Sequence, residues 1–383
     1  MTLRWTARIA LATSLSLAAC SDLLGLEAED RNDVDEEPDA GATDASTTPP
    51  APDASDPDRP DAPGPSDPDA ASPTPTACRV LPLDCLDPSP ANVIEVPSEA
   101  TLAEAFASAR ADDTVQIRAS AVTEAVAVPE RITLRGCSGA QLAGAVSFAG
   151  GSATLEGFLV SGSIRVARSG SFVIRHDRFV PDPEATGVPA VLAEATDSSS
   201  NAIVLLVDAN RFEGRKLGIQ LRTVGGLGLQ ATLQNNVFAG VQKPTLVAQP
   251  SDVTPPVIVH DTFFDFGTAI GIQSGGAFTA ANLFVRGSIG IESNGGEFQA
   301  HDSMAWQVTD PFFTPPTAGV VETVDPQLTA PEAGDFTLSA GSPALDRVTP
   351  SNRTPAEDLA GCARPAGASP PLRADLGALE RQP

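Results

Sequence analysis

The feature that most constrains the fold is a short polar and apolar unit that recurs through the middle of the chain. Each copy places Asn or Asp two positions before Phe or Met. The copies are Asp177-Arg178-Phe179, Asn210-Arg211-Phe212, Asn236-Val237-Phe238, Asp261-Thr262-Phe263, Asn282-Leu283-Phe284 and Asp302-Ser303-Met304, with a degenerate earlier copy at Glu156-Gly157-Phe158. Their apolar positions are separated by 21, 33, 26, 25, 21 and 20 residues. A repeat of this period is typical of a solenoid.

The residues between the copies predict strands. Ile270 and Ile272, and later Ile289 and Ile291, alternate with small or polar residues, which is a strand pattern. When coils stack about 4.8 Å apart, equivalent residues of successive coils lie directly on one another, so residues of the same type form columns. We therefore predict an all-β fold, a right-handed parallel β-helix with Phe stacked inside and Asn or Asp bonding the next coil. The predicted ladder residues are Asp177, Phe179, Asn210, Phe212, Asn236, Phe238, Asp261, Phe263, Asn282 and Phe284.

The N-terminal residues predict where in the cell the protein is located. Two arginines precede an apolar stretch, residues 9–19, that is too short to span a membrane stably. It ends in Leu17-Ala18-Ala19-Cys20, which resembles the lipobox of bacterial lipoproteins. The resemblance implies that residues 1–19 are a signal peptide and that a lipidated Cys20 anchors the protein in the bacterial envelope, at the outer membrane or cell surface. The alternative is an ordinary secreted protein.

Charge divides the remaining chain into a tether and a folded part. Residues 20–77 hold 16 acidic and 2 basic residues, whereas residues 78–383 hold 33 and 20. The first of these segments is dominated by Pro, Asp, Ala and Ser, so it buries too little apolar surface to order itself, and we predict a disordered, extended tether. An acidic chain without a basic stripe argues against nucleic acid as a partner. The expected partners are the membrane, through the anchor, and a polysaccharide or another envelope protein.

Residues 78–113 predict an N-terminal cap. The stretch Val93-Ile94-Glu95-Val96 is a predicted strand, and Ser98 is the predicted N-cap of a helix over Glu99–Arg110 with one apolar face. With the Asp-Asp-Thr-Val-Gln-Ile and Ile-Thr-Leu-Arg-Gly stretches that follow, this order resembles the N-terminal end of pectate-lyase-like right-handed β-helices. The resemblance implies a helix that covers the open end of the parallel β-helix, which we assign to residues 114–330.

Residues 331–383 predict a closing module. The stretches that identify it are Asp335-Phe336-Thr337-Leu338, Gly341-Ser342-Pro343-Ala344-Leu345-Asp346, Asp358-Leu359-Ala360-Gly361-Cys362-Ala363-Arg364-Pro365 and Ala374-Asp375-Leu376-Gly377-Ala378-Leu379-Glu380. They resemble the C-terminal module of bacterial surface β-helix proteins of the choice-of-anchor Q type. Leu345 and Leu376 replace Ile of that pattern, and Cys362 lies inside its third block. The resemblance is specific for the fold and weak for function, because this fold hosts lyases, hydrolases and adhesins.

Four cysteines remain once Cys20 is set aside, namely Cys78, Cys85, Cys137 and Cys362. An even number in an exported protein predicts two disulfides. Three sets of pairings are open. A bond between Cys78 and Cys85 gives the simplest local loop, and each of the other two sets ties one of these residues to Cys362.

No catalytic constellation is evident. His176, His260 and His301 each precede an Asp of the repeat, but separate coils place them too far apart to share a metal, so we predict no metal site. The candidates for catalysis are Asp208, Arg211, Glu213 and Arg215, which fall in one coil region. In a polysaccharide lyase, a cation beside a sugar carboxylate acidifies a C–H bond that an Arg deprotonates.

We therefore expect a binding or structural role at the cell envelope, in contact with a glycan or another protein and without a cofactor. The alternative is a carbohydrate-active enzyme, a lyase or glycosidase, that acts in a groove near residues 175–222. Calcium belongs only to this alternative. Convergence of Asp and Arg side chains in one groove would favour the enzyme, and their dispersal over a flat face would weaken that hypothesis.

Overall fold

Short strands that are far apart in sequence pair in parallel and form stacked coils. The structure, a computed structural model, describes residues 83–86, 92–96, 101–118, 120–137, 139–182, 187–196, 202–224, 228–364 and 372–382. All of them belong to one compact unit, Asp69–Pro383. The predicted signal peptide, Cys20, the predicted tether and Cys78 lie outside the described residues.

The elements follow one another as a long series of short strands. The first are β1 (Val93–Val96), α1 (Leu102–Ser108), β2 (Thr114–Arg118), β3 (Ala121–Val122), β4 (Val126–Val128), β5 (Thr133–Cys137), β6 (Gln141–Leu142), β7 (Val146–Phe148), β8 (Gly151–Glu156), β9 (Leu159–Val160) and β10 (Ile164–Val166). The next are β11 (Gly170–Arg175), β12 (Arg178–Phe179), β13 (Val191–Ala195), β14 (Ile203–Asp208), β15 (Arg211–Glu213), β16 (Leu217–Thr223), β17 (Leu229–Gln234), β18 (Val237–Ala239) and β19 (Lys243–Ala248). The last are β20 (Val257–Val259), β21 (Thr262–Ser274), β22 (Gly276–Ala280), β23 (Leu283–Ser293), β24 (Glu297–His301), β25 (Ser303–Phe312), β26 (Val321–Thr323), β27 (Leu328–Ala330), a 3-10 turn (Pro331–Ala333) and β28 (Asp335–Leu338).

Two parallel sheets form the walls of the solenoid. The first joins β1, β2, β5, β8, β11, β14, β17, β20, β22 and β24 in that order. The second has two arms, one from β3 to β18 and one from β4 to β19, and these arms meet in β21. Residues 262–264 of β21 pair with β18, and residues 270–274 pair with β19, so this one long strand serves both arms. The fold is the predicted all-β, right-handed parallel β-helix.

The helix α1 lies at the N-terminal end of the coils. Its N-cap is Thr101, whose Oγ1 accepts a hydrogen bond from the Glu104 N–H at 3.3 Å while the Thr101 N–H donates to Glu104 Oε2 at 3.1 Å. This capping box sets the start of the helix, because both donors belong to its first turn. The predicted bounds Glu99–Arg110 were therefore too wide, and the predicted cap Ser98 lies outside the described residues. Leu102 and Ala105 are buried against the core.

A column of stacked phenylalanine rings fills the interior. Its members are Phe179, Phe212, Phe238, Phe263 and Phe284, whose successive ring centroids are 4.4, 4.7, 5.1 and 5.1 Å apart. The rings are nearly parallel, because each coil repeats the backbone of the one before at strand spacing. Every ring in the column is at most 1% exposed.

A polar ladder runs beside the phenylalanine column. The backbone N–H of each member donates to a side-chain oxygen in the following coil. These bonds run from Phe158 to Asp177 (2.8 Å), Asp177 to Asn210 (2.9 Å), Asn210 to Asn236 (3.0 Å), Asn236 to Asp261 (2.6 Å), Asp261 to Asn282 (2.8 Å) and Asn282 to Ser303 Oγ (3.2 Å). Burial raises the pKa of Asp177 and of Asp261 well above the usual range. The ladder thus satisfies backbone donors that would otherwise be buried without partners.

The structure corrects the register of the first and last copies of the repeat. Phe158 lies at the ladder position beside Asp177, so it is not the equivalent of Phe179. At the other end, Ser303 occupies the ladder position and Ala305 the Phe position. The predicted last copy, which began at Asp302, was therefore one residue out of register.

Outward-facing side chains of the last coils are apolar and buried because the C-terminal residues cover them. Leu283 and Met304 pack with Leu338, Ala344 and Leu376 of the closing module, together with Ala281, Val348 and Ala374. β27 pairs in antiparallel fashion with β28, so the parallel coils end with β26.

A disulfide joins Cys85 to Cys137, which lies on β5 and is fully buried. Cys362 is also disulfide-bonded. The Cys85–Cys137 bond excludes the local loop between Cys78 and Cys85. Among the three predicted sets of pairings, it agrees only with the set that joins Cys78 to Cys362.

Candidate functional site

Buried charges hold the closing module against the coils. Arg364 Nη1 donates to His260 Nδ1 at 3.0 Å and to Glu380 Oε2 at 3.2 Å, and Nη2 donates to the Gly377 carbonyl at 2.7 Å. A guanidinium group only donates, so His260 Nδ1 is the acceptor and the ring is neutral. Burial, and then the Arg364 charge, hold the pKa of His260 well below its usual value.

Two carboxylates of the module bind backbone donors. Asp358 accepts hydrogen bonds from the N–H groups of Cys362 and Glu380, each at 2.7 Å. Asp375 Oδ2 accepts from the Arg381 N–H at 2.7 Å. Burial raises the pKa of both Asp358 and Asp375. The charged residues in the third and fourth closing stretches therefore stabilise the fold of the module and hold it against the coils.

Gly377 allows a close approach between the module and the coils. Its φ is +84°, and a Cβ there would lie 2.6 Å from Thr262 Oγ1 and 2.7 Å from Leu283 Cδ1. Its N–H donates to the Ala281 carbonyl at 2.8 Å. A side chain at this position would separate the two surfaces.

The principal candidate site is a groove between the coils and the chain segment at residues 325–336. Its main part has a volume of about 330 Å³, and it adjoins a hollow of about 170 Å³. We call the two together the arginine groove. Its coil wall includes Arg178, Arg211, Glu213, Phe264, Asp265, Arg286 and Trp306, and its opposite wall includes Leu328, Pro331, Glu332, Gly334 and Phe336.

One outward column of the solenoid supplies the centre of the coil wall. Glu213, Ala239, Phe264, Val285 and Trp306 pair in register on successive coils. They follow the inward Phe column by one residue, and alternate side chains of a strand point to opposite faces. Trp306 is half-buried, and its ring lies at the end of the column.

Arg178 and Arg211 share one carboxylate. Arg178 Nη2 lies 2.9 Å from Glu213 Oε2, and Arg211 Nε contacts Glu213 Oε1. Arg211 Nη1 also donates to the Gly334 carbonyl at 3.1 Å, so this side chain joins the two walls.

Arg286 is surrounded by acidic and aromatic side chains. It contacts Glu332, lies 3.3 Å from Asp265 Oδ2, and its guanidinium carbon lies 4.3 Å from the Phe264 ring centroid. The hydrogen bond to Glu332 is the main cause of a raised Arg286 pKa. Each of the three groove arginines is therefore in an ion pair.

The structure separates the four candidate catalytic residues. Arg211 and Glu213 lie together in the arginine groove. Asp208, at the end of β14, accepts a hydrogen bond from Asn235 Nδ2 at 3.0 Å. Asp208 is absent from the groove lining, so the four residues do not form one constellation in the described part of the chain.

Arg215, the fourth candidate, is buried and bonds backbone. Its Nε donates to the Val180 carbonyl at 2.8 Å, and its Nη2 donates to the carbonyls of Ser161 at 2.6 Å and Gly162 at 2.8 Å. Burial lowers its pKa. These bonds tie together turns of three coils, which is a structural role.

Sequence reasoning missed Phe264, Arg286 and the position of Trp306. A signal was present, because Phe264, Val285 and Trp306 follow one another at intervals of 21 residues, the length of the local coil. The opposite wall carries no such signal, since Gly334 lies 123 residues beyond its partner Arg211.

The three histidines do not share a register. His176 and His260 occupy the left-handed position before the ladder, with φ of 58° and 55°, whereas His301 pairs with Ala280, one position earlier. His260 contacts Arg364, and His301 stacks on Phe278 at 5.6 Å. Within the described residues no group of three His, Cys, Asp or Glu side chains is placed to hold a metal ion.

Among the described residues, no helix has the length and apolar character needed to cross a membrane. Comparison of the chain with protein-family models and with curated proteins finds no match.

Proposed function

We propose that the protein is a lipid-anchored component of a bacterial cell envelope that contacts a glycan through the arginine groove. Two resemblances support this location in the cell envelope. They are the lipobox-like stretch ending at Cys20 and the choice-of-anchor Q pattern of the closing module. The composition of residues 20–77 supports a tether that holds the folded part away from the membrane.

The observation that carries the binding role is the composition of the groove. It combines the half-buried ring of Trp306 with arginines whose charges are already paired to carboxylates. Aromatic faces bind the apolar faces of sugar rings, and paired Arg and Glu side chains offer donors and acceptors to hydroxyl groups. A strongly charged ligand would have to displace an existing ion pair, so the groove favours a neutral glycan.

Affinity electrophoresis of the full chain in gels that contain a neutral glucan, a mannan or no polysaccharide tests this proposal. We expect retardation by at least one neutral glycan and its loss in Trp306→Ala. The matched control is Phe313→Ala, because Phe313 is an exposed aromatic residue, 59% accessible, that does not line the groove. Equal retardation of both variants would contradict the groove assignment.

The alternative remains a carbohydrate-active enzyme, and the observation in its favour is that Arg178, Arg211 and Glu213 lie side by side in the groove. Product release from uronate and neutral polysaccharides, with and without calcium, distinguishes it. Release that disappears in Glu213→Gln, and persists in Arg168→Gln outside the groove, would make the protein an enzyme and replace the binding proposal.

The anchor is tested separately. Cells that express the full chain are labelled with an alkyne fatty acid, and the label on the protein is measured. We expect label on the wild-type chain and none on Cys20→Ser. Equal labelling of the two would refute lipidation at Cys20 without affecting the groove assignment.

A further inference from the structure

A second cleft, of about 350 Å³, opens where the closing module leaves the last coils. His301, Asp302 and Glu322 line it from the coils, and Arg347 and Arg373 line it from the module. Its volume lies in the range of small-molecule sites. Among the residues that the structure describes, it shares no lining residue with the arginine groove.

The fold explains why this cleft is open. The module covers the left-handed residues that precede the polar ladder in three coils. Asn235 Nδ2 donates to the Glu357 carbonyl at 2.9 Å, His260 accepts from Arg364, and the Ala281 carbonyl accepts from the Gly377 N–H at 2.8 Å. Asp302, with φ of 44°, continues this series and is exposed.

Two side chains of opposite charge face the cleft without forming an ion pair. Arg373 and Asp302 are both exposed, and the described part of the chain provides neither with a salt-bridge partner within 4.0 Å. The neighbouring charges differ, because Arg347 contacts Glu322. That neutralised pair leaves Arg373 and Asp302 as the charges available to a ligand.

The module backbone directs the two arginines to one side. Val348 and Ala374 form an antiparallel bridge with both N–H···O bonds at 2.9 Å. Arg347 and Arg373 each precede a bridge residue, so their side chains lie on the same face of this short ladder. Both line the cleft.

We propose that this cleft binds a small zwitterion, an α-amino acid or a short peptide. Its carboxylate pairs with the planar fork of Arg373, which matches two carboxylate oxygens at once. Its ammonium group pairs with Asp302. A ligand with separated charges of both signs satisfies both side chains, whereas a simple anion or cation satisfies one and is repelled by the other. The proposal does not depend on the function assigned to the arginine groove.

Isothermal titration calorimetry of the full chain tests the proposal with four matched probes. These are alanine, alanyl-alanine, N-acetylalanine, which lacks the ammonium group, and alaninamide, which lacks the carboxylate. We expect alanine or alanyl-alanine to bind at least about tenfold more tightly than the two singly charged probes, the factor that one charged contact supplies. The better of the first two probes shows whether an amino acid or a peptide is preferred.

Variants locate the site. Arg373→Gln should weaken zwitterion binding about tenfold or more and abolish any binding of N-acetylalanine. Asp302→Asn should do the same for alaninamide, and Asn tolerates the left-handed backbone at this position. The control is Arg168→Gln, an exposed arginine that does not line the cleft. Absence of binding by all four probes, equal binding by all four, or zwitterion binding that survives both cleft variants would overturn the proposal.

Discussion

Arg364 Nη1 lies 3.0 Å from His260 Nδ1, and this contact joins the closing module to the coils. His260 precedes Arg364 by 104 residues in the sequence. The Arg364 side chain is 0% exposed, and its charged partner, Glu380, is 2% exposed. A buried charge requires partners that replace its hydration. The module therefore docks through one fully enclosed polar cluster, in addition to its apolar contacts with the coils.

Removal of Arg364 should destabilise the protein strongly. Arg364→Met keeps much of the side-chain volume but leaves Glu380 buried without its cation, which costs about 3–5 kcal/mol in comparable pairs. The control is Arg347→Met, because the Arg347–Glu322 pair is about half exposed and such pairs contribute about 0–1 kcal/mol. Urea unfolding followed by circular dichroism measures both. Equal losses in the two variants would show that the enclosed cluster contributes no more than a surface pair.

His260 should make the stability depend on pH. Its pKa is lowered in the folded protein, so below the unfolded value of about 6.5 the unfolded chain binds more protons. The stability that His260 contributes is therefore complete above about pH 6.5 and is lost as pH falls below it. His260→Asn keeps an acceptor, tolerates the left-handed backbone and does not titrate.

The test compares the free energy of unfolding of the wild-type chain and His260→Asn between pH 8 and pH 5. We expect the difference between the two curves to change below about pH 6.5 in favour of the variant. Asp358 and Asp375 also face this cluster, and their raised pKa values act in the opposite direction. They remain in both proteins, so the difference isolates His260. Parallel curves across this range would contradict the prediction.

The interior was predictable from the sequence because the residues that face it recur once in each coil. Asn236 and Phe238 lie within one repeat of their equivalents in the next coil, and the spacing alone places them together. The last copy failed for a chemical reason. Ser303 Oγ accepts the ladder hydrogen bond from the Asn282 N–H. The repeat was defined by Asn or Asp at this position, so a Ser there was not recognised as a member of the ladder.

The sites were much less predictable because one side of each site is formed by residues that are far away in the sequence. The wall opposite Arg211 comes from Gly334 and Phe336, and the partner of His260 comes from Arg364. No period relates the module to the coils, so the sequence contains no spacing from which these contacts follow. Arg215 illustrates the same limit, since its place in the sequence made it a candidate for catalysis but its guanidinium group is buried against carbonyls of earlier coils.

Asp261→Asn should stabilise the protein at neutral pH. Asp261 Oδ1 accepts from the N–H and Nδ2 of Asn236 at 2.6 and 3.1 Å, but its buried Oδ2 has no hydrogen-bond partner among the described residues. The equivalent Nδ2 of Asn282 donates to the Ile258 carbonyl at 2.9 Å. An amide at position 261 supplies that missing donor and removes a buried charge, so we expect a gain of about 1–3 kcal/mol.

The pH dependence provides the control for this prediction. Burial raises the folded pKa of Asp261, so the stability from its protonated form is complete below the unfolded pKa of about 3.9 and is lost as pH rises through the folded pKa. The gain from Asp261→Asn should therefore be small at acid pH and largest at neutral pH, as measured by urea unfolding. The reverse change, Asn282→Asp, should destabilise at neutral pH. A gain that is independent of pH would rule out the buried carboxylate as its cause.

The stacked rings should contribute as a packed core. Phe238 lies between Phe212 and Phe263, with centroid distances of 4.7 and 5.1 Å, and is 0% exposed. Phe238→Ala leaves a cavity between two coils and should cost about 3–5 kcal/mol. Phe313→Ala, at an exposed ring, should change the free energy of unfolding by no more than about 0.5 kcal/mol. Comparable losses in the two variants would refute a distinct role for the interior column.

The disulfide connectivity can be read from peptides of the unreduced protein. We expect one linked pair that contains Cys85 and Cys137, which the structure joins across 52 residues. We also expect a second pair that contains Cys362, which is disulfide-bonded, and Cys78, the one cysteine then left from the predicted four. A peptide that links Cys78 to Cys85 would contradict both pairings.

The energetic consequence follows from loop closure. The Cys85–Cys137 bond ties the N-terminal segment to β5, and a bond that closes a loop of this length stabilises a protein by about 2–4 kcal/mol. Replacement of Cys85 and Cys137 by Ser should therefore lower the free energy of unfolding by about that amount relative to the unreduced wild-type chain. Reduction of the wild-type chain also opens the bond at Cys362, so it should lower the free energy of unfolding by at least as much. If reduction and replacement both leave the unfolding midpoint unchanged, the N-terminal segment is held by its packing alone.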